Sequence, residues 1–333
     1  MEFKKFTSIE NVQRQKWIDA VIDQGHGGKQ FVVTEKIHGA NCGRYYDGKT
    51  FKLASRSQFL APDSNFYGIS NHYDELKEKT IKAYELLGGD GFIIIYGEWF
   101  GGRYTGMVSP AGTKQVQREC LYTPFNEFCG FDLVKDGEVL NVYDRNEILE
   151  KSGIYFAKPL FIGTFQECLE YPNDFVTKVP ADFNLPEIEG NITEGTVIVP
   201  VEPLFFANGS RIIFKNKNEK FKENKGGKKP KVKEDVQLSD EGLDLLNILL
   251  GYVNDNRRNA VVSKFENITD KSFGPLMGAY MRDIVDDYRK DFEKEIGEGL
   301  DEKEEKKIKK ELSKAVQLDI HENFTEILDR FNY

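Results

Sequence analysis

From Phe31 to about Lys217 the apolar positions fall in short runs of β-branched and aromatic residues, broken by turn signals such as Asp47-Gly48 and Asn208-Gly209. That is the pattern of strands joined by hairpins. Helical spacing interrupts it over Ser70 to Leu87, where Tyr73, Leu76, Ile81, Tyr84 and Leu87 recur, and again over Asp144 to Lys151. From Ser239 the period changes. An N-cap is followed by Leu243, Leu245, Leu246, Ile248 and Leu249, and amphipathic segments run through Asn254 to Phe265, Ser272 to Phe292 and Asp301 to Phe331. Between the two regimes, around Gly226-Gly227 and Pro230, no apolar periodicity survives. The pattern predicts an α+β chain: an antiparallel-sheet domain over 1–234, then a small all-helical domain over 235–333. At 333 residues, each can bury its own core.

Composition adds limits. Hydrophobic residues make up 39% and charged residues 30%, and the longest apolar runs, such as Phe92 to Tyr96, are only strand-sized, so no membrane span is expected. The N-terminus, MEFKKFTSIE, has no apolar core for export. Cys42, Cys120, Cys129 and Cys168 form no CxxC pair and have no histidine at metal-ligand spacing, so they read as reduced thiols of a cytoplasmic protein. A net charge of -9 means that any surface for an anionic polymer must be local. One candidate is Lys215 to Lys233, with nine lysines against two glutamates; its alternative is a solvated linker.

The most informative stretch is FVVTEKIHGANCGRYYDGKTFKLASR, Phe31 to Arg56, in which an apolar strand leads into Glu35-Lys36-Ile37-His38-Gly39. A lysine just after a strand is well placed as a nucleophile once it has lost its proton, which neighbouring positive charge favours. Alone, Lys-x-His-Gly is commonplace. Further along come Arg56, Gly97-Glu98-Trp99-Phe100-Gly101, Phe131-Asp132, Glu194-Gly195 and Lys215-Asn216-Lys217. In this order and at these separations the set resembles the RNA ligase 2 family, the phage-type ligases related to kinetoplastid RNA-editing ligases, within the covalent nucleotidyltransferases. His38 stands where DNA ligases usually carry Asp. That favours the RNA branch.

The resemblance implies an adenylyltransferase fold and an ATP-dependent RNA ligase working through a covalent Lys36–AMP intermediate. It would join 3′-hydroxyl and 5′-phosphate ends at nicks in duplex RNA or RNA–DNA hybrids. A monomer is expected, in the host-cell cytoplasm if the source is a phage. Catalysis would fall to Lys36, His38, Arg56, Glu98, Asp132, Lys215 and Lys217, and nucleotide contact to Glu35, Lys36, Arg56, Glu98, Phe131, Glu194, Lys215 and Lys217. Glu194 would bind Mg²⁺ or Mn²⁺, and Asn41, Arg56, Arg257, Asp283 and Asp287 would serve nucleic acid.

Each assignment makes chemical sense by itself, and each has a plainer alternative. Lys215 and Lys217, two apart on a strand, share one face and suit an α-phosphate, or else they are solvated hairpin lysines. Glu194 suits a hard cation. Phe131 would stack on adenine with Asp132 fixing ribose or metal-bound water; the alternative is a core Phe. His38 would assist pyrophosphate departure or serve only in a turn. Asp283 and Asp287 lie on one helical face, and a solvated acidic face is the simpler reading. In place of the family Glu the second of these is Asp. Gly25-His26-Gly27-Gly28-Lys29-Gln30 lacks the spacing of a P-loop, and neither GxSxG nor HExxH occurs. Two other functions fit the same fold: a GTP-using capping-type guanylyltransferase, which would carry a β-rich OB-fold after residue 240, and an inactive nucleic-acid-binding module.

Overall fold

The computed structural model describes residues 1–221 and 238–331. The chain is α+β and divides into two compact units, Met1–Lys220 and Phe221–Tyr333. The expected boundary at 234/235, with Gly226-Gly227, Pro230 and the lysines after Phe221, lies outside the described residues.

Two five-stranded sheets build the first unit. One has the order β1(Glu10–Asn11), β10(Phe214–Lys217), β9(Gly195–Pro200), β2(Phe31–Glu35), β8(Pro159–Gly163). The other has the order β4(Phe51–Ser55), β3(Ala40–Tyr46), β5(Ile93–Gly101), β6(Asn126–Lys135), β7(Glu138–Val139). All pairings are antiparallel except β1 with β10, which is parallel. Period-2 alternation explains the layering. Phe31, Val33, Ile198 and Phe214 share one face and pack with Phe165 and with Ile18 and Val21 of helix α1(Gln15–Asp23). Val197 and Val199 point the other way, into a second cluster with Ile94, Tyr96 and Val134 of the other sheet. This second cluster is the core between the sheets.

The expected helices exist with shifted ends. Helix α2(Tyr73–Leu86) follows a 3-10 turn at Phe66–His72. The Asn141 side chain caps α3(Val142–Ser152), which ends at Gly153 in the left-handed region. Two short helices, α4(Phe165–Leu169) and α5(Val179–Asp182), complete the unit; they are too short to show a period, whereas α1 carries an apolar face of Trp17, Ile18 and Val21 that the sequence reading missed.

Among the described residues of the second unit, four α-helices pack together: α6(Asp240–Gly251), α7(Asp255–Val262), α8(Phe273–Phe292) and α9(Glu302–Asp329). Ser239, Asn254 and Asp301 cap α6, α7 and α9 through their side chains. Helix α9 buries Ile308, Leu312, Val316 and Ile320, one per turn, against α6 and α8. At about 1.5–3 kcal/mol for each fully buried aliphatic side chain, this stripe is the main reason so charged a helix stays docked.

Candidate active site

Lys36 sits at the carboxyl end of β2, and the three strands β2, β9 and β10 bring it into register with its partners. Its backbone N–H donates to the Gly195 carbonyl at 2.9 Å, while Lys217 pairs with Gly195 from the other side. Glu194 immediately precedes that shared point. Its carboxylate receives Lys36 Nζ on Oε2 at 2.7 Å and Lys217 Nζ on Oε1 at 3.1 Å. Gly195 makes this convergence possible: φ is +140°, and a Cβ would lie 2.1 Å from the Asn216 carbonyl oxygen.

The segment after Lys36 crosses from the first sheet to the second, where β3 begins at Ala40. It passes so close to β5 that a Cβ on Gly39 would lie 2.3 Å from the Trp99 carbonyl oxygen. That approach sets Lys36 between the sheets, with Glu98 and Asn41, a directly opposed pair on β5 and β3, across from it. The Asn41 amide reaches the Gly97 carbonyl at 3.5 Å. Burial pushes the Glu98 carboxyl up to about 7; Lys36, His38 and Arg56 oppose that and Glu194 reinforces it. Lys36, His38, Arg56, Glu98 and Glu194 therefore share one electrostatic environment.

Glu194 itself goes the other way. Burial works against its charge, but Lys36, Lys217 and His38 together outweigh it and hold the carboxylate well below its usual range. His38 Nδ1 lies 3.5 Å from Glu194 Oε2, its Nε2 lies 3.2 Å from Glu119 Oε2, and its backbone N–H donates to the Tyr122 hydroxyl at 2.9 Å. Burial lowers the imidazole pKa, yet the carboxylates of Glu194 and Glu119 win and raise it to about 9. The folded pKa thus exceeds the ordinary 6.5, so this stabilisation is complete below pH 6.5 and disappears as pH rises through about 9. Denaturant midpoints followed upward from about pH 6 should fall in the parent protein. In His38→Asn that part of the fall should be missing.

A lysine paired with a buried carboxylate thus lies on a two-sheet scaffold that a helical unit follows along the chain. The model of the family described as RNA ligase matches residues 29–217, more than half of the chain, and that described as T4 RNA ligase 2 C-terminal matches residues 236–318. The chain belongs to the RNA ligase family. Among curated proteins it is similar to the mitochondrial RNA-editing ligase 1 of Trypanosoma brucei brucei, 28% identical over 237 residues covering 59% of this chain and 50% of that one. RNA-editing ligase 2 of the same organism is 28% identical over 227 residues, covering 59% and 54%. This RNA ligase family member therefore spans about half the length of the curated relatives it matches. Among solved structures it is similar to the Naegleria gruberi RNA ligase with PPi, with a TM-score of 0.44, 17% identity and coverage of 66% of this chain and 57% of that one.

Some residues expected at the site are engaged elsewhere. Glu35 shares the face of Phe31 and Val33, away from Glu98, and its buried carboxylate accepts from the Thr177 hydroxyl and from the Lys178 N–H at 2.8 Å. These two hydrogen bonds anchor the end of β2. Phe131 is the extra residue of a β-bulge: Tyr96 pairs with Asp132 and Gly97 with Gly130, leaving Phe131 between them. Its ring packs edge-on against Phe6, with centroids 4.9 Å apart, while part of the residue stays exposed. Asp132 is buried in an ion pair with Arg211, with Arg145 beside it.

The larger correction concerns Arg257, Asp283 and Asp287. Arg257 is 1% exposed, donates to Asp283 at 2.7 Å and to Asp287 at 3.0 Å, and stacks over the Tyr252 ring at 4.9 Å. The two acids, read from sequence as more simply a solvated face, are engaged with this cation. They neutralise a buried guanidinium that ties α7 to α8. Arg257→Ala, which leaves Asp283 to Lys264 and Asp287 to Lys290, should destabilise the helical unit by about 3–5 kcal/mol in denaturant unfolding, whereas replacing Arg257, Asp283 and Asp287 together by apolar residues of similar volume should cost far less.

Sequence reasoning missed Glu119, Tyr122, Arg145 and Arg211. Gln117 was missed too; its side-chain amide donates to the Gly39 carbonyl at 2.9 Å. All but Arg145 lie in irregular segments where no period marks them.

Proposed function

We propose that this chain is an ATP-dependent RNA ligase with an adenylyltransferase domain at 1–234 and a helical domain at 235–333. The observation that carries the reading is the Lys36–Glu194–Lys217 group, an amine held at a strand end beside a second fixed cation. In the first step Lys36 Nζ attacks the α-phosphorus of ATP; the N–P bond forms as the bond to pyrophosphate breaks. AMP then passes to a 5′-phosphate end and frees the lysine. Finally a 3′-hydroxyl attacks that phosphate and AMP departs.

All three are in-line displacements at phosphorus, where fixed cations do most of the work. Lys217 and Lys215, on one face of β10, hold the non-bridging oxygens. His38, kept cationic by Glu119 and Glu194, faces the leaving pyrophosphate. Glu98 takes the ribose, Phe131 the adenine, and Arg56 and Asn41 the RNA ends.

Among the described residues no group of three or more His, Cys, Asp or Glu could hold a metal ion. A single buried carboxylate, Glu194, fits Mg²⁺ or Mn²⁺ bound otherwise by substrate phosphate and water, which is how Mg²⁺ usually sits in phosphoryl-transfer sites. The ion would neutralise phosphate charge when bound.

The second unit is helical throughout its described residues, where a capping-type enzyme would carry a β-rich OB-fold, so ATP is the nucleotide we expect to label the protein and GTP is not. No helix among the described residues is long and apolar enough to cross a membrane, and the four buried thiols fit a cytoplasmic setting. A monomeric state is part of the same proposal; sedimentation and cell fractionation check both points.

For the polymer, the test is sealing of nicked duplexes that differ only in which strand ends are RNA or DNA. Nicks in duplex RNA or RNA–DNA hybrids should close at least about tenfold faster than all-DNA nicks, the worth of one hydrogen bond to a 2′-hydroxyl. Equal rates on all-DNA nicks would overturn the RNA assignment.

A further inference from the structure

The N-terminal segment precedes every motif in the chain and also the residues matched by the family model, which start at 29. Yet it is threaded between the two sheets and fixed at both ends. Toward its start, the Lys4 carbonyl accepts from two hydroxyls of the second sheet, Tyr45 at 2.6 Å and Tyr96 at 2.9 Å. Toward its end, the Glu10 N–H donates to the Ile213 carbonyl at 2.9 Å and the Val12 N–H to the Lys215 carbonyl at 3.1 Å, which sets Asn11 beside Lys215. Between these anchors Phe6 is 7% exposed. Its ring meets Tyr96 at 5.1 Å and Phe131 at 4.9 Å with an interplanar angle of 62°.

We propose that Phe6 is a positioning residue for the nucleotide, holding the bulged Phe131 ring edge-on so that its other side is presented to adenine. The inference rests on the ligase reading of Phe131. A residue at a β-bulge has no opposing partner to fix its direction, so its orientation depends on what packs against it. Here the packing partner is an aromatic edge carried by a segment that cannot slide, and edge-to-face contact favours one ring orientation. The arrangement predicts a defect in ATP capture and not in the chemical step, because Phe6 packs on the Tyr96 and Phe131 rings within an apolar cluster.

The experiment is covalent labelling of the full chain over a range of ATP concentrations, in Phe6→Ala, Phe6→Tyr, Phe131→Ala and the Phe6→Ala/Phe131→Ala double variant. Phe6→Ala should raise half-saturating ATP about tenfold, the scale of one aromatic contact, with the saturating rate within about threefold of the parent. Phe6→Tyr, which keeps the edge, should restore the parent value. In the Phe131→Ala background, Phe6→Ala should add less than about twofold, since its effect runs through that ring. If Phe6→Ala does not fold, Phe6→Leu, which keeps apolar volume without the aromatic edge, carries the same cycle. An unchanged ATP dependence overturns the proposal, as does a loss confined to the saturating rate or an effect of equal size with and without Phe131. A parent protein that takes no label from ATP defeats the ligase reading itself, and that outcome is visible before any variant is made.

Discussion

Lys36→Ala is expected to take up no covalent label from ATP carrying a labelled α-phosphate, under conditions in which the parent protein labels readily. Removing the sole nucleophile of a covalent step usually costs on the order of 10⁴-fold or more, because nothing else nearby can form the intermediate. Glu194 at 2.7 Å is an anion that binds the amine and cannot replace it as a lasting AMP carrier. Lys217 is the other amine on that carboxylate, but its ammonium sits on Oε1 at the far side of Gly195, in the position of a cation for the phosphate. The variant should still seal RNA whose 5′ end already carries AMP, since the last displacement needs no lysine nucleophile. If Lys36→Ala labels like the parent, or if pyrophosphate-stripped parent protein takes no label, the covalent mechanism is wrong. Labelling by GTP in preference to ATP would move the chain to the capping-type chemistry.

What the sequence revealed about this site depended on how local each cause was. Lys215 and Lys217 were legible as same-face residues because a period of two is a local property of strands, and the structure places both on β10. The N-cap read at Ser239 is local in the same sense. The convergence of Lys36, Glu194 and Lys217 is not. It requires β9 to run between β2 and β10 in one register, a pairing of strands about 160 residues apart along the chain that no short window contains. Only the ordered motif set pointed there.

The packing partners that the sequence did not reveal share a physical origin. Phe131 and Asp132 are adjacent, yet one packs on Phe6 and the other pairs with Arg211, because a bulge between Tyr96 and Gly97 shifts the register at that point. A bulge leaves no mark in the apolar pattern. Asp283 and Asp287 were correctly placed on one helical face, but charge alone reads as solvent-facing. Their partner, Arg257, arrives from α7, and a buried cation with two carboxylates is visible only once the helices are packed. The segment 1–12 gave no signal because a strand of two residues, paired in parallel, is too short for any period.

Glu194→Gln should slow lysine labelling by roughly 10²–10³-fold, the loss seen when one preorganised electrostatic group is removed from a reaction at an oxyanion. Glutamine keeps the shape, so the argument concerns charge. In the parent protein the carboxylate is 3% exposed and compensates Lys36, Lys217 and His38 together. With the charge gone, three cations face one another in a buried space, and the cheapest escape is for the longest chains to swing outward, taking Lys36 out of line with the α-phosphorus. On the proposed reading the divalent ion would lose its protein carboxylate in the same change. Glu194→Asp separates the two effects. It keeps the charge but draws it back by one methylene, about 1.5 Å, a misplacement that by itself is worth on the order of 10²-fold. The expected order is therefore parent, then Asp, then Gln, with added Mg²⁺ recovering part of the Asp loss and little of the Gln loss. Labelling by Glu194→Gln within about threefold of the parent rate would show that the Lys36 amine is positioned by something other than this carboxylate.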